Sequence, residues 1–327
     1  MKILKRVLIA LLLIVAVVVV YVQLSWHKSY DEIALPDLHA STDSAVIARG
    51  KYLIFGPAHC ATCHVPMDKI NDVDQGAVIP LSGGWELAIP PGTFRAPNLT
   101  PDPETGIGHF SDGQLARALR HNVRANGDQL FPFMPFQDMS DADIVAIISY
   151  LRSQEPVKHE MPQTELSFLG KALTAFGVVK PTSPETEPPK TVAIEPTAAY
   201  GGYIANSIAN CRGCHTERDL KTGEFTGEPF AGGFAMPADG FTEGYSFVTP
   251  NLTPDEETGV MALWTEDAFV GRIKAGRVHR TSPMPWGVFS RMDEVEIRAI
   301  YKYLKSLKPV KNQIPKTVFE PGEEIPG

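Results

Sequence analysis

The motif CATCH at residues 60–64 is matched by CRGCH at residues 211–215, and together they hold all four cysteines of the 327-residue chain. In each motif two cysteines, separated by two residues, are followed directly by a histidine. C-x-x-C-H is the attachment pattern of c-type haem, in which both thiols bind the porphyrin and the adjacent imidazole reaches the iron. A thioredoxin-like redox pair would need a βαβ context, and a zinc site would need further ligands at matching spacing. The sequence has neither and therefore predicts two covalently bound haem c groups, held by Cys60, Cys63, His64, Cys211, Cys214 and His215.

The two motifs lie in two copies of one sequence unit. PNLTPD at residues 97–102 recurs at residues 250–255, and Glu-Thr-Gly follows closely in both copies. A helical pattern leads into each cysteine motif, at residues 44–55 and 198–209, and an amphipathic helix closes each copy, starting near Ser140 or Asp293. Short helices and long loops leave each copy few elements to bury against one another. We therefore predict an all-α fold in which a large apolar cofactor completes each core.

The repeat sets the expected domain boundaries. Proline-rich stretches separate and follow the two copies. The predicted segments are an N-terminal apolar helix (1–25), a tether (26–43), a first domain (44–155), a linker (156–199), a second domain (200–311) and a tail (312–327). Residues 166–176 of the linker are predicted to form a short amphipathic helix that docks on a domain or lies on a membrane surface.

Each haem iron needs a sixth ligand or an open position for chemistry. Methionine opposite histidine is the cytochrome c arrangement. Met134 and Met284, each followed by proline, keep the same context in both copies and lie 70 and 69 residues after the motif histidines. They are the predicted axial ligands, with gap-filling core methionine as the alternative. Four other histidines lack an equivalent in the other copy and are predicted to be surface or neighbouring residues: His59, His109, His121 and His279.

The haem propionates and rings need partners as well. Arg95, just before the first PNLTPD loop, is a candidate partner for a propionate, but Val248 occupies the equivalent place in the second copy. Four aromatic residues are candidates to pack on the rings, with ordinary core packing as the alternative: Tyr52, Trp85, Tyr203 and Trp286.

The N-terminus places three positive charges, Lys2, Lys5 and Arg6, before an apolar run over residues 7–24. About 17 to 25 apolar residues span a bilayer, and no A-x-A-like cleavage site follows the run. Tyr21 and Trp26 suit the membrane–water interface. An uncleaved signal anchor is therefore expected, with the rest of the chain in the bacterial periplasm; a cleaved signal is the alternative. The net charge of −8 gives no reason to expect a nucleic-acid partner.

The order of motifs resembles the class I c-type cytochrome domains in membrane-bound cytochrome subunits of periplasmic alcohol and gluconate dehydrogenases. The matching motifs are Gly50-Lys51-Tyr52-Leu53, C-x-x-C-H, the PNLTPD loop, a helix beginning after an aromatic residue and a cap, Met-Pro and a final helix ending in Tyr-Leu. The resemblance implies the fold, the axial pairs His64 with Met134 and His215 with Met284, and a role in carrying electrons. Those subunits usually carry three haems, whereas this chain has two motifs.

The expected function is electron relay by a dihaem cytochrome c, without a catalytic residue of its own. The expected donor is a dehydrogenase or a quinol-oxidising complex, and the acceptor is another cytochrome or a terminal oxidase. The enzyme alternative is a dihaem peroxidase, which needs an iron with an exchangeable position. A third possibility is an obligate cytochrome subunit of a larger respiratory or dehydrogenase complex.

Overall fold

The computed structural model describes residues 2–184, 186–220, 222–238 and 242–325. Before the linker, the helices are α1 (Lys2–Ser25), α2 (Ser44–Phe55), α3 (Ala61–His64), a 3-10 turn (Met67–Lys69), α4 (Ile70–Asp74), α5 (Asp112–His121) and α6 (Asp141–Ser153). The linker carries α7 (Phe168–Ala175). The helices that follow are α8 (Ala198–Tyr203), a π-helical turn (Ile204–Ile208), α9 (Cys211–Cys214), α10 (Val260–Leu263), α11 (Glu266–Lys274), α12 (Trp286–Phe289) and α13 (Glu294–Ser306).

The structure is rich in helix, as predicted, but it is not exclusively helical. Helices take 39% of the described residues, and two small antiparallel sheets accompany them. The strands are β1 (Glu86–Ile89), β2 (Gly92–Arg95), β3 (Glu165–Leu166), β4 (Ala235–Met236), β5 (Ser246–Val248) and β6 (Val318–Phe319). The orders are β1-β2-β3 and β4-β5-β6, so that the chain after each copy folds back to add the third strand. Strands of two to four residues are too short to show an alternating pattern in the sequence, which is why the all-α prediction missed them.

The two copies, called here the first repeat (44–155) and the second repeat (200–311), are built around the same helix crossing. In the first, α2 packs on α6; in the second, α8 packs on α13. Gly50 and Gly201 lie at these crossings, where an added Cβ would come within 1.9 Å of the carbonyl oxygen of Ala146 or Ala299. The G-x-Y motif therefore supplies a glycine where two helix backbones touch.

The final helices begin as predicted. Ser140 caps α6 by accepting a hydrogen bond from the backbone of Asp143, and Asp293 occupies the cap position of α13. The helix before the second cysteine motif is less regular than predicted, because α8 ends at Tyr203 and continues as a π-helical turn.

The PNLTPD loops have the same hydrogen bonds in both repeats. The side-chain amide of Asn98 donates to the carbonyl of Val157 at 2.8 Å, and the side-chain amide of Asn251 donates to the carbonyl of Val310 at the same distance. Each loop is thereby tied to the chain that leaves its repeat, which positions the loop beside the cysteine motif.

Residues 26–43, predicted as a tether, lie along the first repeat. The backbone of Tyr30 donates to Gly127 at 2.9 Å, and that of Ala40 donates to the Asp112 carboxylate at 2.7 Å. Helix α1 projects from this end of the molecule, with Val22 as its one buried residue. By length and composition α1 is suited either to cross a membrane or to serve as a signal sequence.

Candidate haem-binding sites

Both cysteine motifs form a single tight turn. In the first, α3 follows Cys60, and the backbone of His64 donates to the carbonyl of Cys60 at 3.0 Å. In the second, the backbone of His215 donates to the carbonyl of Cys211 at 2.8 Å. One helical turn brings residues three and four apart to one face, so two thiols and an imidazole can meet a single planar group.

The residue before each motif has the same unusual backbone conformation. His59 has a φ of 41° and Asn210 a φ of 52°. A left-handed residue at this point turns the chain into the motif, after the preceding helix has already ended at Phe55 or Ile208. The imidazole of His59, which has no counterpart in the second repeat, packs edge-on against Phe289 at a ring distance of 5.6 Å. It therefore serves in the contact between the repeats.

The motif histidines are oriented in the same way by their own loops. Nδ1 of His64 lies 3.0 Å from the carbonyl oxygen of Pro97, and Nδ1 of His215 lies 3.2 Å from that of Pro250. Because a carbonyl only accepts, Nδ1 carries the proton and Nε2 is left with its lone pair. Histidines that bind metals are held in this way, with the other ring nitrogen donating to a carbonyl or carboxylate. The prolines are the first residues of the two PNLTPD loops, which explains why loop and motif recur together.

Burial keeps both imidazoles neutral. It lowers the pKa of His64, and it lowers the pKa of His215 to about 4. A neutral imidazole is the form that binds a metal. Both histidines are therefore in the protonation state that a haem iron requires.

The four thiols do not have the environment of a reactive redox pair. None of them forms a disulfide, and each is half-buried. Burial raises the pKa of Cys60 to about 12, of Cys63 to about 11 and of Cys211 to about 12. Redox dithiols have lowered pKa values, because the thiolate is the reacting species. The surroundings of these cysteines thus disfavour thiol exchange.

The predicted axial methionines differ in burial from the other methionines that close the repeats. Met139 and Met292, which precede the final helices, are fully buried at 0% and 2% exposure. Met134 and Met284 are half-buried at the edge of the hydrophobic core. Gap-filling methionines are expected inside the core, so the edge position favours a side chain that faces an added group.

Three side chains near the second motif and the first Met-Pro loop keep buried nitrogen donors that have no partner among the described residues. They are Gln129, with its Nε2, and Arg212 and Arg218, each with its Nε. Arg218 also donates to the carbonyl of Gly213 inside the second motif. Buried polar atoms are normally hydrogen-bonded, so these atoms fit the carboxylates of a haem. The sequence did not single them out, although Arg212 lies within CRGCH itself.

Arg95, predicted as a propionate partner, is engaged elsewhere. Its guanidinium pairs with Glu86 at 2.6 Å and Glu165 at 3.2 Å, and it donates to the carbonyl of Gln163. These contacts hold β3 against the β1-β2 hairpin. The structure therefore gives Arg95 a role in the sheet, which the missing equivalent in the second repeat had hinted at.

The repeats are joined by a reciprocal pair of tyrosines. The Tyr52 hydroxyl donates to the carboxylate of Glu296 and accepts from the backbone of Asp293 at 2.8 Å. In the opposite direction, the Tyr203 hydroxyl donates to Asp143 at 2.7 Å and accepts from the backbone of Ser140 at 2.9 Å. Each tyrosine thus caps the final helix of the other repeat. The hydroxyls of Tyr52 and Tyr203, which were predicted as possible ring-packing residues, lie at the interface between the repeats.

A single guanidinium joins the two buried acids of this interface. Arg49 lies 3.0 Å from Asp143 and 3.2 Å from Glu296, whose exposed fractions are 7% and 1%. A carboxylate buried to this degree needs a counter-charge and hydrogen bonds. Two further contacts cross the interface: Arg277 pairs with Asp74 at 2.8 Å, and Arg291 donates to carbonyls of α2 and α4. The two candidate sites are consequently held at a fixed separation.

A cavity of about 550 Å³ opens where the two repeats and the linker meet. Its lining includes Pro135 and Gln137 from the first Met-Pro loop, Pro188 from the linker, and Asn210 and Arg212 from the second motif. The candidate ligand loop of one repeat therefore lies near the cysteine motif of the other.

Most of the known proteins that this chain resembles are cytochromes or cytochrome subunits of dehydrogenases. The chain is 28% identical over 302 residues to the cytochrome c subunit of a quinone alcohol dehydrogenase from Gluconacetobacter polyoxogenes, covering 85% of this chain and 59% of that protein. It is 29% identical over 316 residues to the gluconate 2-dehydrogenase cytochrome c subunit of Pantoea cypripedii, covering 89% and 65%. A dihaem c-type cytochrome of Cereibacter sphaeroides is 29% identical over 282 residues, covering 79% and 85%. No family model matches the chain.

These relatives confirm the resemblance to cytochrome c subunits that the motifs indicated. They imply covalently bound haem c as the cofactor. The chain spans about six-tenths of the length of the two dehydrogenase subunits, at 59% and 65%.

Proposed function

We propose that this chain is a membrane-anchored dihaem cytochrome c that relays electrons in the periplasm. The observation that carries the proposal is the matched pair of histidines: each follows two cysteines and is oriented by a proline carbonyl of its own loop. A haem iron at each site would take up and release one electron. The protein residues would attach the two groups through Cys60, Cys63, Cys211 and Cys214 and supply His64 and His215 as proximal ligands.

Met134 and Met284 are the proposed sixth ligands. Three observations support them. Both are followed by proline, both lie at nearly the same sequence separation from the motif histidine, and both are half-buried at the edge of the core. A thioether ligand would raise the reduction potential and close the iron to exchangeable ligands. Closed irons suit transfer of electrons and not peroxide chemistry. Each repeat, 44–155 and 200–311, is in this proposal one class I cytochrome c domain.

Helix α1 is the proposed anchor. Its 24 residues would extend about 36 Å, against about 30 Å of hydrocarbon in a bilayer. Lys2, Lys5 and Arg6 would stay on the cytoplasmic side. The haem domains would then face the periplasm from the inner membrane as a single-pass protein.

The proposed electron donor is a dehydrogenase or a quinol-oxidising complex, and the proposed acceptor is a cytochrome or terminal oxidase. Support for the donor comes from relatives that are cytochrome subunits of alcohol and gluconate dehydrogenases. Support for two haems comes from the two motifs and from a dihaem relative that is covered over 85% of its length.

The spectrum of the purified, oxidised full-length protein tests the proposal. Preparation from a host that matures c-type cytochromes should give two covalent haems per chain by mass. Both irons should be low-spin, with a methionine-to-iron charge-transfer band. A stable high-spin fraction that binds peroxide would contradict electron relay and support the peroxidase alternative.

Mass measurement of the protein extracted in mild detergent separates a free carrier from a complex subunit. A free carrier should be released as the chain alone. Co-extraction with a dehydrogenase at fixed stoichiometry would assign the chain to a larger assembly.

A further inference from the structure

Helix α7 presents apolar side chains to solvent beside the end of α1. Phe168 and Leu169 begin the helix, and Phe176 and Val178 follow its end; their exposed fractions are 48%, 38%, 57% and 47%. These four residues are called here the α7 patch. Exposed apolar side chains that form a patch, and are not scattered singly, are unusual for a surface that meets only water.

The other side of α7 is fixed to the first repeat. The Ser167 hydroxyl donates to the carbonyl of Pro90 at 2.7 Å, and its backbone donates to Pro91 at 2.9 Å. Gly170 lies so close to the hairpin that an added Cβ would come within 2.0 Å of the Pro91 carbonyl oxygen. Because α7 is docked through this side, the exposure of the α7 patch is set by the fold.

Helix α7 also contacts the end of the apolar run of α1. The Tyr21 hydroxyl donates to the carbonyl of Ala175 at 3.3 Å, and Lys28 donates to the same oxygen at 3.1 Å. The rings of Tyr21 and Phe176 lie 5.3 Å apart. The ammonium of Lys171 lies 4.9 Å from the centre of the Trp26 ring. These contacts hold α7 at the level of the aromatic residues that mark a membrane–water interface.

We propose that the α7 patch inserts into the headgroup and acyl boundary of the bilayer that α1 spans. The inference rests on the proposed anchoring by α1. Continuity with α1 selects lipid as the occupant, since a patch at this level meets the bilayer surface as soon as α1 is inserted. The charge agrees, because residues 166–184 contain two lysines, Lys171 and Lys180, and no acidic residue. Basic and aromatic residues together suit an interface that contains anionic lipid.

The consequence concerns orientation. Strand β3, which leads into α7, pairs with β2 of the first repeat. An inserted α7 patch would therefore hold the first repeat against the membrane at two points, α1 and α7. In this arrangement the second repeat would not contact the membrane itself and would be positioned by its contacts with the first repeat.

Photo-crosslinking in bilayers tests the inference. Benzoylphenylalanine would replace Phe168 or Phe176 in the full-length protein, reconstituted in vesicles of phosphatidylethanolamine and phosphatidylglycerol. The matched control is the same substitution at Leu263, which is 83% exposed and lies in the second repeat. Lipid adducts, detected by mass, should be at least about tenfold more abundant at residues 168 and 176 than at residue 263.

Extraction of the vesicles with alkaline carbonate separates the two ways in which the inference can fail. A chain that resists extraction but gives lipid adducts only at the level of the Leu263 control would overturn the inference and leave the anchor intact. Adducts to protein in place of lipid would overturn it equally. A chain that carbonate removes from the vesicles would contradict the anchor, and the inference with it.

Discussion

In the first repeat the residue after the leading cysteine is Ala61, whereas in the second it is Arg212. Three residues after the motif histidine the first repeat has Met67 and the second has Arg218. The surrounding contacts are the same in both repeats. Each motif histidine is held by a proline carbonyl, and each PNLTPD loop is held by the side chain of its asparagine. The residues proposed to hold a haem are thus arranged alike in the two repeats, and the charged side chains beside the motifs differ.

This difference in charge indicates how the two candidate haem sites can differ in reduction potential. Arg218 hydrogen bonds to the second motif, whereas among the described residues no charged side chain hydrogen bonds to residues 60–64. A cation beside a haem favours the reduced iron, which carries one positive charge less. We therefore expect the second site to have the higher reduction potential, with electrons passing from the first repeat to the second.

The largest expected effect comes from removing the attachment cysteines. The double variant Cys60→Ala/Cys63→Ala should lose one of two covalent haems, and Cys211→Ala/Cys214→Ala should lose the other, because no other cysteine can form a thioether. Mass of the denatured chain measures the count. Retention of two haems by either variant would break the assignment of one group to each repeat.

Removal of the guanidinium at the interface should have the next largest effect. Arg49→Met leaves Asp143 and Glu296 buried without their cation, and breaking a buried pair in this way costs about 3 kcal/mol in free energy of unfolding. Denaturant titration followed by circular dichroism measures the loss. The matched control is Arg298→Met, whose guanidinium pairs with carboxylates on the surface and whose loss should change stability little. Equal stability of both variants would show that the interface does not depend on the ion pair.

The two tyrosines should then behave as equals. Tyr52→Phe and Tyr203→Phe each remove one hydroxyl that bridges a carboxylate and a helix cap, so each should cost about 2 kcal/mol in the same titration. The double variant tests whether the two contacts act independently. If only one of the two variants lost stability, the two tyrosines would be alike in their contacts but not in their contribution to the free energy of unfolding.

The smallest effect sharpens the contrast between the motifs. Arg218→Gln should lower the potential of the second haem by a few tens of millivolts and leave the first unchanged; about 59 mV corresponds to a tenfold change in a one-electron equilibrium. Met67→Gln, at the equivalent place in the first repeat, is the control and should move neither potential by as much. If Arg218→Gln shifts the first potential instead, the expected order of the two sites is wrong.

Much of the frame was predictable from the sequence because it depends on local signals. The helix caps at Ser140 and Asp293, the apolar faces of the final helices and the repeated loop each act within a few residues. The cysteine motif is equally local, since one turn of chain holds two thiols and an imidazole.

The remainder depends on contacts between distant segments. Strands β3 and β6 have two residues each and form only because the chain folds back after each repeat. The interface pairs Tyr52 with a residue 244 positions away, which no local pattern predicts. The contacts of Arg95 were missed for the same reason, since its partner Glu165 lies on β3, in the linker that follows the first repeat.

A redox titration of the wild type beside Met134→Ala and Met284→Ala tests most directly the central claim that each repeat completes one haem site. The wild type should show two one-electron steps. Met134→Ala should lower one potential and Met284→Ala the other, with the remaining potential nearly unchanged in each, because the thioether stabilises the reduced iron that it binds. Two potentials that stay in place in both variants, or that move together in either, would contradict the account.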